Sequence, residues 1–73
     1  MKAKDKNPHI INLMAIKGGD IGEPTATALI ERYGTYWYTI HREAEDLAET
    51  VIGNKRWGLV SARKFLRAIG RIE

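Results

Sequence analysis

The stretch Leu29-Ile30-Glu31-Arg32-Tyr33-Gly34-Thr35-Tyr36-Trp37-Tyr38-Thr39-Ile40-His41-Arg42 decides how this chain is read. A glycine stands at its centre. Leu29 and Ile30 lie five and four places before it, and Ile40 lies six places after it. Ala44 and Leu47 then follow at helical spacing. Gly34 permits a sharp bend, and the apolar positions on either side lock two helices at a steep crossing. Residues 35–40 are rich in strand formers, so a strand is the competing assignment there. Helix is preferred because the apolar periodicity continues into the Ala- and Glu-rich segment behind it.

Outward from this centre the chain reads as helix nearly throughout. Asn7-Pro8 marks a start, since Asn caps and Pro fits a first turn where its missing N–H costs nothing. Ile10, Leu13, Met14 and Lys17 recur at helical spacing, and Gly18-Gly19 ends this first helix. Pro24 opens a second helix, lined by Ala28, Leu29 and Tyr33 and stopped by Gly34. Thr35 caps a third, expected to run to about Ile52 with Gly53 as its stop. With Ile40 at the centre of the buried face, a step of about 100° per residue puts Trp37, Ala44, Leu47, Ala48 and Val51 on the same side. Tyr38, Arg42, Glu45 and Glu49 face away, and His41 sits at the flank. A basic loop, residues 54–58, leads to a fourth helix from about Leu59 to Ile69. Leu59, Ala62, Phe65, Leu66 and Ile69 form its apolar stripe, opposite Arg63, Lys64, Arg67 and Arg71.

The central run, with Ile10 to Gly19 before it, resembles the helix-turn-helix of bacterial and archaeal transcription regulators over residues 9–52. The upstream segment is similar to the first helix and break of three-helix and winged-helix regulators. Two departures stand out. Ile30 replaces the small residue usual in the middle of the second helix, and the turn carries Thr35, Tyr36 and Trp37 in place of an apolar residue and small polar ones. Residues 53–58 are read as too short for a wing hairpin. The expected fold is therefore all-α: a tri-helical helix-turn-helix core with an additional C-terminal helix and no clear wing.

The resemblance implies that the third helix is the recognition helix and that the partner is double-stranded DNA. It puts Tyr36, Tyr38, Thr39, His41 and Arg42 at base edges in the major groove, with Arg42 forking onto guanine. Lys55, Arg56, Arg63, Lys64, Arg67 and Arg71 would contact phosphates. A homodimer is expected, because one module this small buries little surface and two copies read half-sites about 34–36 Å apart. Trp57, Phe65 and Leu66 are candidates for the dimer contact or for closing the core. The alternative is a helical protein-interaction module, or an RNA-binding protein, docking through the basic C-terminal helix.

Composition bounds these readings. The 73 residues suit one small domain, of which folding hides only about 60% of the unfolded surface. Residues 1–6 are expected to be a flexible basic tail, read as solvated and not as a signal peptide, and residues 7–73 a single helical DNA-binding domain. The apolar fraction of 44% and charged fraction of 29% argue against disorder. With no cysteine, disulfides and Cys-based metal centres are excluded. The net charge of +3 is unevenly spread. Residues 35–50 carry −3 and residues 51–73 carry +5, which points to a polyanionic partner. No apolar run reaches membrane-spanning length, and a cytoplasmic location is the default.

Chemistry-bearing patterns are sparse. His41 and Glu45 are spaced as a metal pair, but two ligands do not make a site, so no metal and no cofactor is expected. Residues 17–22 are glycine-rich without the spacing or the Lys-Ser/Thr ending of a nucleotide-phosphate loop, and are read as a turn. No Ser-His-acid or paired-carboxylate arrangement can be argued, so neither enzymatic activity nor a small-molecule substrate is expected.

Overall fold

The computed structural model describes residues 7–72, so the N-terminal tail and Glu73 lie outside the described residues. Over the described residues the chain is predominantly helical, with one small two-stranded sheet. Helix α1 spans Pro8–Met14, α2 Glu23–Tyr33, α3 Tyr36–Ile40, α4 Ala44–Ala48 and α5 Leu59–Ala68. Strands β1, Val51–Ile52, and β2, Lys55–Arg56, lie between α4 and α5.

Local chemistry sets the boundaries. Asn7 caps α1 by accepting the His9 N–H at 2.8 Å, with Pro8 in the first turn. The helix ends at Met14, short of the glycine pair that the spacing suggested, and Lys17 lies in the following turn. Pro24 starts α2 and Gly34 ends it. At φ 92° and ψ −43°, Gly34 occupies a conformation that is strained for any L side chain.

The expected long third helix is instead two short ones, broken at residues 41–43. Its competitor, a strand over residues 35–40, is not formed. The break leaves carbonyls without intrahelical partners, and Arg71 supplies them. Beyond α5, Gly70 takes φ 81° and the Arg71 N–H reaches back to the Leu66 carbonyl at 2.9 Å, while the Gly70 N–H bonds the Arg67 carbonyl at 3.1 Å. This paired reversal turns the chain back on itself. The Arg71 guanidinium then donates to the carbonyls of Ile40 and Arg42 and faces the Glu43 carboxylate at 3.8 Å.

Against the expectation of no wing, a short hairpin follows α4. Val51 pairs with Arg56 and Ile52 with Lys55, antiparallel. Two residues, Gly53 and Asn54, suffice for the connection, because Gly53 at φ 65° occupies the first central position, where one of the tight hairpin turns requires glycine.

One apolar cluster holds these elements together. Leu13 of α1, Ile21, Ala26, Leu29 and Ile30 of the α2 region, Leu47 of α4, and Ala62, Phe65 and Leu66 of α5 are buried in it. Trp57 packs against it, its ring centroid 5.7 Å from that of Phe65. Phe65 and Leu66 are fully enclosed, so they close the core and form no dimer contact. Among the described residues, no helix is long and apolar enough to cross a membrane.

Candidate nucleic-acid interface

Helix α3 is seated from three sides. The Thr35 hydroxyl caps it by accepting the Tyr38 N–H at 3.1 Å. The Thr39 hydroxyl donates to the Thr35 carbonyl at 2.7 Å, which satisfies it inside the core. From α1, His9 Nδ1 accepts the Tyr36 N–H at 3.1 Å. Tyr36 and Ile40 pack against the apolar cluster. This seating fixes which residues face outward.

Trp37 and Tyr38 are 64% and 63% exposed and His41 is exposed as well, so these three form the outer face of α3. His41 Nδ1 lies 2.7 Å from the Trp37 carbonyl. A carbonyl only accepts, so this contact assigns the proton to Nδ1 and leaves Nε2 as the outward atom. The Tyr36 and Trp37 rings meet edge-to-face with centroids 5.2 Å apart.

The expected base-reading set is thereby revised. Tyr38 and His41 stand on the outer face. Tyr36 is half-buried against the core. Thr39 is fully buried and is withdrawn from the set. Arg42 is half-buried and turns toward α2 and α4. Its guanidinium lies 5.7 Å from the Tyr33 ring centroid and 3.7 Å from Asp46, and its Nε is buried without a partner. Trp37, expected in the core, is exposed instead, and Val51, expected on the same side, is also exposed. The same angular count carried the signal. Tyr36 lies about 40° from Ile40 and Trp37 about 60°, so Tyr36 had the better claim to the core.

Beside this face, α2 is tied to α4 through Arg32. It donates to the Asp46 carbonyl at 2.9 Å, to the Thr50 hydroxyl at 3.0 Å and to the Asp46 carboxylate at 2.9 Å. Its guanidinium also lies 5.1 Å from the Tyr33 ring centroid. The Tyr33 hydroxyl is buried next to Thr50 and Asp46 without a well-formed hydrogen bond, and burial pushes its pKa above the ordinary value of 10.0.

Of the residues expected at phosphates, Lys55 and Arg56 lie on the exposed hairpin, and Arg63, Lys64 and Arg67 on the exposed side of α5. Arg56 pairs with Glu49 at 3.3 Å and Lys64 with Asp20 at 3.1 Å. Such exposed pairs are worth only about 0–1 kcal/mol and exchange readily for a phosphate. Arg71 is different, because its guanidinium is committed to the carbonyls of the α3–α4 break, and it leaves the phosphate set.

An open cleft of about 410 Å³ lies against Met14, Ile16, Ile21, Asp20 and Lys64. Its two charged groups bond each other. Among the described residues, no group of three His, Cys, Asp or Glu side chains gathers as metal ligands would. Comparison with protein-family models, with curated proteins and with solved structures gives no match.

Proposed function

We propose that this protein binds double-stranded DNA as a small regulator, acting by occupying a site and not by chemistry. In this reading α2, the Gly34 bend and α3 act as a helix-turn-helix, with α1 as the third helix of the core. The hairpin of β1 and β2 serves as a minimal wing. The observation that carries the reading is the seating of α3. Its inner side is fixed by His9, Thr35 and Thr39, while Trp37, Tyr38 and His41 project from the other. A recognition element needs this rigid support behind a protruding face. Reading is confined to α3, because Glu45 on α4 and Glu49 just beyond it are exposed and repel phosphate.

The cations of the hairpin and of α5 supply the electrostatic part. Five of them, Lys55, Arg56, Arg63, Lys64 and Arg67, give a slope of log affinity against log salt of about −4.5, at about −0.9 per phosphate. Two copies on adjacent half-sites are part of the proposal, since a single module covers little DNA. Titration of a labelled duplex at several salt concentrations, followed by fluorescence anisotropy, tests it. Binding with a steep negative slope is the expected result. Absence of binding at low salt, with retention of an acidic protein partner that depends on α5, favours the protein-interaction reading instead.

A further inference from the structure

We infer that the α3 face reads A·T pairs in the major groove, by apolar contact with the thymine methyl and a hydrogen bond from the adenine amino group. The inference rests on the DNA-binding reading above and adds the chemistry of the base it selects. Guanine is ordinarily read by a forked donor, an Arg or Lys that reaches O6 and N7 together. The outer face of α3 offers no such fork. Arg42, the nearest candidate in sequence, lies against Tyr33 and Asp46, and Arg71 is held by the carbonyls of Ile40 and Arg42.

The face offers instead two large rings, with the Tyr38 hydroxyl and the Trp37 indole N–H at their edges, and the His41 ring beside them. Trp37 and Tyr38 stand side by side in the first turn of α3 and present apolar surface to the outside. The only methyl group in the major groove belongs to thymine. His41 Nδ1 lies against the Trp37 carbonyl, and in the tautomer this contact selects, with the proton on Nδ1, Nε2 is the nitrogen that accepts. Donors in the major groove are the amino groups of adenine and cytosine. The A·T pair alone carries both a methyl and a donor. The one contact that fixes the His41 tautomer thus also places the acceptor within the same helical turn as the rings.

Base analogues on the unmodified protein test this without any variant that risks misfolding. Alternating A·T, A·U and G·C duplexes are compared in the same salt. Uracil removes the methyl and leaves the rest of the pair intact. 2-Aminopurine in place of adenine moves the amino group out of the major groove and keeps thymine. Affinity is expected in the order A·T, then A·U, then G·C, with about a fourfold loss for each contacted methyl removed. 2-Aminopurine is expected to cost about threefold to tenfold per hydrogen bond. Trp37→Ala should abolish the difference between A·T and A·U, and His41→Ala the sensitivity to 2-aminopurine. Equal, salt-dependent binding to all the duplexes overturns the inference and leaves the DNA-binding reading standing. Failure to bind any duplex at low salt overturns both.

Discussion

Replacing Gly34 by alanine isolates the bend between α2 and α3. The glycine sits at φ 92° and ψ −43°, close to the rare, strained type of γ-turn. A methyl group built there meets nothing within 4 Å, so the cost of Gly34→Ala is backbone strain and not collision. Strain of this kind amounts to about 1–3 kcal/mol. A domain of this size has a total stability near the low end of the usual range, about 5 kcal/mol. With a urea slope of about 1 kcal/mol/M, the unfolding midpoint should fall by about 1–3 M. The chain is short enough for total synthesis, which allows a control of opposite hand. D-alanine favours positive φ and narrows the unfolded ensemble, so it should hold or raise stability, by up to about 1 kcal/mol. Urea unfolding followed by circular dichroism reads both variants. An L-alanine variant as stable as the parent, or a D-alanine variant as damaged as the L form, refutes the account of the bend.

Tyr33→Phe removes a buried hydroxyl that has no well-formed hydrogen bond, so stability at neutral pH should hold or rise, by up to about 1–2 kcal/mol. The pKa of Tyr33 is raised in the folded state, mainly by burial. The stability tied to this group is therefore complete below about pH 10 and falls as pH rises through the folded pKa, because the unfolded chain gives up the proton first. The difference between parent and Tyr33→Phe should widen above pH 10 in denaturation series, and a constant difference contradicts this. Arg71→Ala exposes the carbonyls of the α3–α4 break and should cost about 1 kcal/mol, the value of hydrogen bonds from a charged donor discounted for partial exposure. Arg71→Lys should recover part of the loss, since one ammonium covers the carbonyls less well. A change within the range of about ±0.5 kcal/mol usual for surface substitutions removes Arg71 from this role.

The helices were legible where caps and periodicity agreed. Asn7-Pro8, Pro24, Gly34 and Gly70 each act as the local chemistry suggests, and α5 buries Ala62, Phe65 and Leu66 from its expected stripe. The break at residues 41–43 was not legible, because nothing local forces it. The carbonyls it frees at Ile40 and Arg42 are met by Arg71, distant in sequence. The hairpin escaped for a different reason. A two-residue turn at Gly53-Asn54 needs no strand longer than two residues on each side, which is too short for alternation to register. At the site, size misled: Trp37 was given the core place that Tyr36 holds. Thr39 looked like a surface polar group until its hydroxyl was seen to bond the Thr35 carbonyl.

In the proposed complex the outer face of α3 meets DNA together with the hairpin and α5. Amide and indole chemical shifts of the labelled protein, followed as duplex DNA is added, test it most directly. The account predicts that Trp37, Tyr38 and His41 shift along with Lys55, Arg56, Arg63, Lys64 and Arg67. Shifts confined to α5, with the Trp37 indole signal unmoved, contradict it.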